Sequence, residues 1–253
     1  MKLSYLNLLK IPDLTRAEKI LCIQPHPDDM EIGAGASIAR LSKKCITITC
    51  VTVTDGSAGT YDHGINQKEL IETRKKETIE ASCYLGVNEH LWLNFPDGGN
   101  LPYEKVRSEI TRIIRTIKPK ALLVCDPWLS YEAHSDHIRT GMAAAEAFLL
   151  SGLPYFCPSD LHDGIEPYAA EMIAFYYTAY PNTFIDVSDT WAQKLKALSC
   201  HKSQFRDDQL EMFKELLTMK AREIGKEEGY KYAESFKVLS STHMHILEQA
   251  WQY

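Results

Sequence analysis

The sequence lacks the marks of several large classes of protein. It contains no run of about 18 apolar residues, which a membrane-spanning helix needs. Basic residues are not in excess, and the formal net charge of −6 argues against a surface that binds nucleic-acid phosphates. The 7 cysteines form no C-x-x-C pair, as is typical of reduced cytoplasmic thiols, and residues 1–10 are too short and interrupted for a signal peptide. We therefore predict a cytoplasmic protein with neither membrane nor nucleic-acid partners.

What is present is a regular alternation of strand and helix patterns. β-branched apolar runs alternate with segments in which apolar residues recur every three or four positions. This alternation predicts an α/β fold with a doubly wound, mostly parallel, Rossmann-like sheet and helices on both faces. We expect one domain, 1–253, with a long loop at 154–170. The predicted strands are 19–23, 46–53, 90–94, 121–124, 172–177 and 183–187; the predicted helices are 36–43, 67–85, 103–117, 136–149, 207–224 and one that starts at an N-cap Ser188.

A histidine and two adjacent carboxylates follow the first predicted strand. They are His26, Asp28 and Asp29, and prolines on both sides of His26 stiffen the segment. In open α/β sheets, ligands bind at the carboxyl ends of the strands. Read alone, an Asp pair is more often a helix N-cap beside a surface histidine. The sequence therefore predicts a metal ligand and a substrate-facing carboxylate only if a second cluster lies nearby.

The second cluster is His134, Asp136 and His137, after the apolar run 121–125. Three residues apart on a starting helix, the two histidines share a face, and Asp136 could fix the tautomer of one imidazole. A lone H-x-D-H often has a structural role. Two such clusters beyond strands of one sheet predict a metal site of the His/His/carboxylate type that hydrolases use.

A competing interpretation comes from the glycines. Gly33 and Gly35 after a strand, with Asp55 about 20 residues on, imitate a dinucleotide fingerprint. The third glycine position holds Ile38, and the strand ends well before Gly33. We prefer close helix packing as the role of these glycines. A nucleotide- or S-adenosylmethionine-binding protein remains the alternative from a different class, and a non-catalytic metal- or sugar-binding module is a third.

Four motifs together resemble a known family. They are P-H-P-D-D at 25–29, T-D-G-x-x-G at 54–59, R-x-x-E at 74–77 and H-x-D-H at 134–137. The chain is similar in these motifs to the LmbE-like (PIG-L) superfamily of zinc-dependent N-acetylglucosaminide deacetylases. The stretches 126–134, 201–205 and 232–236 look most like its diacetylchitobiose deacetylase branch. Met30 departs from the third acidic residue that many members carry.

The resemblance implies a role for each site residue. His26, Asp29 and His137 would bind zinc, Asp28 would be the general base, and His134 would stabilise the oxyanion with Asp136 as its orienting carboxylate. Which group protonates the leaving amine stays open. The implied substrate contacts are Arg74, Asp97, Trp128 and His245, with His243 as a competitor for the last.

Each substrate contact also has an ordinary structural explanation. Arg74 could be a solvated helix residue, Asp97 a turn residue and Trp128 a core residue. The remaining histidines are expected to be surface or structural residues: His63, His90, His162 and His201.

The resemblance implies hydrolysis of an acetamide on an amino sugar. The substrate would be N-acetylglucosamine (GlcNAc), diacetylchitobiose, or a GlcNAc conjugate from thiol-cofactor or aminoglycoside biosynthesis. It also implies a homo-oligomer based on trimers, with a hexamer as the expected form. The aromatic stretch 153–157 agrees with this, because it places apolar side chains beside the predicted 154–170 loop, near a subunit boundary.

Overall fold

A seven-stranded sheet organises the chain. The computed structural model describes residues 9–253, and the strands lie in the order β3-β2-β1-β4-β5-β7-β6. The first five are parallel, whereas β7 runs antiparallel to both β5 and β6. The predicted mostly parallel α/β sheet is confirmed. The strands are β1 (Lys19–Gln24), β2 (Thr47–Thr54), β3 (Glu89–Phe95), β4 (Ala121–Cys125), β5 (Met172–Tyr176), β6 (Thr183–Asp186) and β7 (Ala233–Leu239).

Eight α-helices connect and flank these strands in the described part of the chain. One group packs α1 against α2 and α6, and a second packs α3 against α4. The helices are α1 (Asp29–Lys43), α2 (Gln67–Leu85), α3 (Tyr103–Ile117), α4 (Ser135–Leu150), α5 (Ser159–His162), α6 (Trp191–Leu198), α7 (Asp207–Glu228) and α8 (Ser241–His245).

The central strands β1 and β4 carry runs of consecutive apolar residues because helices cover both of their faces. Leu21 in β1 and Leu122 and Leu123 in β4 have no exposed surface. In a sheet with one solvated face, alternate residues would be polar instead. These strands belong to one continuous cluster of buried apolar residues that also includes side chains from α1, α4 and β5.

The first helix begins seven residues earlier than predicted. The sequence-based prediction starts at residue 36, whereas α1 starts at Asp29, directly after Asp28 in an unusual conformation with φ +145°. The side chain of Gln24 accepts a hydrogen bond from the backbone N–H of Met30, which is fully buried. Glycine is unfavourable within helices, so the prediction began after the glycines, but tertiary contacts outweigh that preference.

Two other local predictions were wrong. Ser188 does not cap α6, because Thr190 occupies the N-cap position and the helix starts at Trp191. The predicted 154–170 loop contains the short helix α5. The buried Arg115 holds this segment by donating hydrogen bonds to backbone carbonyls between residues 151 and 157 and to the Asp160 carboxylate.

The sheet order creates a crevice at the carboxyl ends of the central strands β1 and β4. From β1 the order runs through β2 to β3 on one side and through β4 to β5 on the other. Helices that follow β1 and β4 diverge from this point, and ligands of open α/β sheets bind there. Residues 26–29 follow β1, and residues 134–137 follow β4. Both clusters therefore reach the same crevice.

No helix within residues 9–253 has the length and apolar character needed to cross a membrane. All 7 cysteines are free thiols. Most of the segment considered as a signal peptide, residues 1–8, lies outside the described residues.

Gly33 and Gly35 offer a matched test of the packing role. A Cβ at Gly33 would overlap the Tyr176 ring, whereas one at Gly35 would meet Lys194 Cγ at 3.4 Å, an ordinary contact. We expect Gly33→Ala to lower the free energy of unfolding by about 1–3 kcal/mol through overpacking. Gly35→Ala should be neutral or stabilising by up to about 1 kcal/mol. Urea unfolding of both variants measures this, and equal stabilities would contradict it.

Candidate active site

A carboxylate lies between two imidazoles at the centre of the crevice. Asp29, in the first turn of α1, places Oδ2 3.2 Å from His26 Nδ1 and Oδ1 3.3 Å from His137 Nε2. The backbone N–H of His26 also donates to Asp29 Oδ2 at 2.9 Å. The nearest donor atoms of the three side chains lie within 4.8 Å of one another, so they could hold one metal ion.

A second set of donors shares one histidine with the first. His26, His134 and Asp136 also have donor atoms within 4.8 Å of one another. His134 is exposed, and its Nδ1 accepts a hydrogen bond from the backbone N–H of Asp136 at 3.3 Å. That leaves only Nε2 of His134 free to bind anything else. The geometry favours the deeper set with Asp29, in which both histidines aim at the same carboxylate.

Two carboxylates lie behind His26. Its Nε2 is 3.3 Å from Asp97 Oδ1 and 3.4 Å from Asp136 Oδ2. Burial opposes protonation of His26, but hydrogen bonds with Asp136, Asp29 and Asp97 outweigh it and raise its pKa. The Asp136 carboxylate also accepts the backbone N–H of Gly98. Asp136 therefore supports His26 through its side chain, and it reaches His134 only through its backbone N–H.

Asp28 is a largely buried carboxylate, with its side chain 13% exposed, and it has an arginine beside it. The pKa of Asp28 is raised to about 6. Burial of the carboxyl group raises it, and the nearby Arg74 guanidinium offsets only part of that effect. Nη2 of Arg74 is 3.5 Å from Asp28 Oδ2 and donates to the Pro27 carbonyl at 3.1 Å. Arg74 is 2% exposed, so it is not a solvated helix residue. A carboxyl group with a raised pKa is a better proton acceptor than an ordinary surface carboxylate.

Two glycines make room for that arginine. The Gly56 carbonyl accepts a hydrogen bond from Arg74 Nη1 at 2.9 Å, and Gly56 has φ +69°. A Cβ at Gly56 would lie 2.7 Å from Nη1, and one at Gly59 would overlap the same atom. The T-D-G-x-x-G motif therefore leaves space for the guanidinium group. The arginine thus lies at the floor of the site, against the Asp28 segment.

An open cleft exposes these groups to a ligand. Gln204, which lies in the stretch 201–205 but was not predicted as a site residue, forms part of one wall, and its Nε2 donates to the Gly59 carbonyl at 2.9 Å. The neighbouring Ser203 is anchored by Glu77 through both its backbone N–H and its hydroxyl. Sequence spacing does not predict the place of Gln204 in the cleft, because α2 and α6 bring it there from far along the chain. The cleft is lined by His26, Asp28, Ala58, Gly59, Arg74, Asp97, Gly98, His134 and Gln204.

Two predicted substrate contacts lie elsewhere. Trp128 is half exposed and packs edge-on against Phe175, with ring centroids 5.5 Å apart, in a separate pocket beside Trp251. His245 is exposed on α8, and it does not line the cleft formed by the described residues. His243 is buried, and its Nδ1 lies 2.7 Å from Ser240 Oγ. The topology explains this, since α8 follows β7, which is separated from β1 by two strands.

The other histidines divide as expected between the surface and structural positions. His63 and His162 are exposed. His90 lies 2.7 Å from Thr52 Oγ1, and burial lowers its pKa to about 4. His201 is fully buried, with Nε2 3.7 Å from Glu31 Oε1.

The features behind the nucleotide-binding alternative have structural roles. Gly33 packs against the Tyr176 ring. The Asp55 carboxylate accepts the backbone N–H groups of Ser57 and Asp97, which ties the ends of β2 and β3 together. A ribose-binding acid would need that carboxylate free. The observed contacts therefore do not favour a dinucleotide site here.

The donor chemistry of the crevice suits a divalent metal. Asp29, Asp97 and Asp136 place three carboxyl groups around the His26 imidazole, and a fourth, Asp28, lies beside the Arg74 guanidinium. A buried Oδ1 of Asp136 has no hydrogen-bond partner among the described residues. Buried carboxylates are stable when they are paired or when they coordinate metal. Two imidazoles and a carboxylate form a three-ligand set that leaves a position open for water or substrate.

The comparisons with known proteins agree with this chemistry. Residues 21–148 match the family model PIG-L, GlcNAc-PI de-N-acetylase. A diacetylchitobiose deacetylase from Thermococcus kodakarensis is 40% identical over 230 residues, which cover 90% of this chain and 86% of that protein. The solved structure of N,N'-diacetylchitobiose deacetylase from Pyrococcus horikoshii, complexed with its inhibitor MPG, has a TM-score of 0.90 and 39% identity, and covers 96% of this chain and 92% of that one.

A more distant structure shows that the fold alone does not determine which reaction a protein catalyses. GalB, the 4-carboxy-2-hydroxymuconate hydratase from Pseudomonas putida KT2440, has a TM-score of 0.75 at 18% identity, over 88% of this chain and 96% of that one. At that identity the likeness extends only to the fold, which can host different reactions. The family model and the identity to the archaeal enzyme are more specific. They confirm the resemblance found in the motifs, and this chain belongs to the PIG-L family of de-N-acetylases.

Proposed function

We propose that this chain is a zinc-dependent hydrolase that removes the acetyl group from the amide nitrogen of a GlcNAc unit. The observation that carries the proposal is the His26, Asp29 and His137 donor set next to the largely buried Asp28, at the floor of an open cleft. Membership of a de-N-acetylase family supports the reaction. Free GlcNAc and diacetylchitobiose are the proposed substrates, by similarity to the archaeal deacetylases.

The donor set supports zinc as the metal. Imidazole nitrogens and one carboxylate are borderline ligands of the kind found in catalytic zinc sites, whereas magnesium and calcium prefer oxygen ligands. When bound, the ion would lower the pKa of a water molecule and polarise the amide carbonyl. Asp97 and Asp136 would keep His26 oriented from behind.

The surrounding residues would handle protons and charge. Asp28 would accept the proton of the attacking water, helped by the burial that raises its pKa. Burial and the neighbouring His26 and His137 lower the pKa of His134, so its ring is neutral near pH 7. Because Nδ1 of His134 accepts the Asp136 N–H, its proton lies on Nε2. From there it can donate a hydrogen bond to the developing oxyanion.

Within the cleft, the substrate contacts of this proposal are Asp97 and Arg74. The Asp97 carboxylate accepts the Ala58 N–H and lies 3.9 Å from Arg74 Nη1. Polar groups fixed in this way select for ligand hydroxyls, because their hydrogen bonds are lost with a simpler acetamide. A GlcNAc conjugate of thiol-cofactor or aminoglycoside biosynthesis is the second candidate substrate, and the openness of the cleft toward Gln204 would admit its aglycone.

The two donor sets predict different metal contents. We expect His137→Ala to lose tightly bound zinc, because it removes one of three ligands. His134→Ala should retain zinc near one equivalent, because that side chain is outside the favoured set. Elemental analysis after dialysis measures both. The opposite pattern would move the metal to the set with His134 and Asp136.

The reaction and its base are tested together by acetate release. We expect the wild type to release acetate from GlcNAc or diacetylchitobiose. Asp28→Asn should retain zinc but lose turnover by roughly 100- to 10,000-fold, since an amide cannot accept the proton. Asp189→Asn, at an exposed position between β6 and α6, is the matched control.

Each outcome of that assay has a defined meaning. Turnover of Asp28→Asn within tenfold of the wild type would remove Asp28 as the base. A wild type that ignores GlcNAc and diacetylchitobiose but deacetylates a conjugate would favour the second candidate substrate. No acetate from any member of the panel would contradict the deacetylase proposal.

We also propose that the chain is one domain and assembles in the cytoplasm as a trimer-based oligomer, with a hexamer as the expected form. One continuous apolar core supports the single domain, and free thiols support the cytoplasm. The segment that Arg115 holds exposes Leu153 and Tyr155, the latter 89% exposed, and such side chains favour association.

Light scattering tests the assembly. We expect a mass that is a multiple of three chains at micromolar concentration, and a smaller mass for Tyr155→Glu, which would place a charge in the proposed interface. A stable monomer of the wild type at that concentration would contradict the proposal.

A further inference from the structure

Glu132 lies in the loop between β4 and α4, with both carboxylate oxygens engaged. Its Oε1 accepts the backbone N–H of His134 at 2.8 Å. Its Oε2 lies 3.2 Å from His137 Nδ1. The side chain is 19% exposed, so the contact with the imidazole is mostly shielded from water. Glu132 lies within the stretch 126–134 that resembles the diacetylchitobiose deacetylase branch, but the resemblance implies no role for it.

The two ring nitrogens of His137 therefore face different carboxylates. Nδ1 faces Glu132, and Nε2 faces Asp29 at 3.3 Å. A neutral imidazole carries one proton and can bind a metal only through the other nitrogen. Nδ1 of His137 is buried and makes no aligned hydrogen bond among the described residues, but the Glu132 carboxylate 3.2 Å away can accept a proton from it. With the proton on Nδ1, Nε2 would present its lone pair to the metal position.

We infer that Glu132 is the positioning residue of His137: it fixes the Nδ1–H tautomer and the ring orientation, and so raises the affinity of the site for zinc. This inference depends on the proposed metal site but not on the identity of the substrate. His26 has a similar arrangement, since its Nε2, the ring nitrogen away from Asp29, faces Asp97 and Asp136. Each imidazole of the donor set thus has an acidic group on the side away from Asp29.

The backbone conformation before Glu132 directs its carboxylate toward the start of α4. Tyr131, directly before Glu132, has φ +69°, a conformation that costs a bulky residue energy. The Glu132 N–H donates to the Leu129 carbonyl at 3.1 Å and closes the turn. The same side chain then holds the His134 N–H at the start of α4. One carboxylate therefore orients the segment that carries both histidines of the H-x-D-H motif.

The test is the zinc affinity of the apoprotein, measured by competition with a chromogenic chelator at pH 7.5. We expect Glu132→Ala to bind zinc about 10- to 100-fold more weakly. Glu132→Gln should fall between this variant and the wild type, because its amide oxygen can still accept the Nδ1–H. Glu104→Gln removes an equal charge from an exposed position in the first turn of α3, and it should match the wild type.

Two further measurements separate positioning from a structural role. The melting temperature of each apoprotein reports the structural contribution, and long-range ¹H–¹⁵N spectra of the zinc-loaded protein report which nitrogen of His137 carries the proton. We expect Nδ1 in the wild type. If Glu132→Ala does not fold, the zinc affinity of Glu132→Gln and the spectra of the wild type test the inference instead.

Unchanged zinc affinity in the folded Glu132 variants would overturn the inference, even if the apoproteins melt earlier. A proton on Nε2 of His137 in the wild type would overturn it as well. Failure of the wild type to bind zinc would overturn it together with the metal proposal. Zinc binding without acetate release would instead contradict only the deacetylase proposal.

Discussion

The Asp29 carboxylate between His26 and His137 is the interaction on which the site depends. It requires α1 to begin at Asp29, directly beyond β1, and it requires α4 to present His137 from the neighbouring strand. The hydroxyl of Tyr177 donates to the Asp29 carbonyl at 3.2 Å, so β5 supports the same residue. Segments that follow three parallel strands, β1, β4 and β5, therefore meet at one residue: two imidazoles face its carboxylate, and Tyr177 binds its backbone carbonyl. This convergence is available only at the point where the sheet order reverses.

Charge is arranged in layers around that carboxylate. The inner layer is Asp29 with the facing nitrogens of the two imidazoles. The outer layer consists of carboxylates on the far sides of those rings: Asp97 and Asp136 behind His26, and Glu132 behind His137. Arg74 is the fixed cation of the region, and it neutralises Asp28 rather than the inner layer. Such an arrangement is favourable when a divalent cation occupies the centre, since buried carboxylates otherwise repel one another.

The sequence predicts the sheet well because its strands carry strong local signals. Continuous apolar runs mark β1, β2 and β4, and the bounds of α2 and α3 follow from their helical periodicity. The start of α1 was missed because Gly33 and Gly35 have low helix propensity, while the residues that pack against them, Tyr176 on Gly33 and Lys194 on Gly35, lie far along the chain.

The site shows the same division between local and distant signals. Two clusters of His and Asp were visible at once, because each is contiguous in sequence. The orientation of Asp136 toward His26 depends on the approach of two separate loops, so spacing alone could not predict it. Gln204 comes from a third segment, and nothing in the stretch 201–205 distinguishes it as a cleft residue. Glu132 did leave a signal, since it stands two residues before His134, but an isolated acid in a loop has many ordinary explanations.

The space that Gly56 and Gly59 leave for Arg74 has a consequence for how this protein can vary. A side chain at position 59 would displace the guanidinium, and a smaller residue at position 74 would leave a void lined by the unpaired carbonyls of Pro27 and Gly56. Neither single change is neutral. We therefore expect the three positions to vary together, so that relatives that lose the arginine also differ at the glycines.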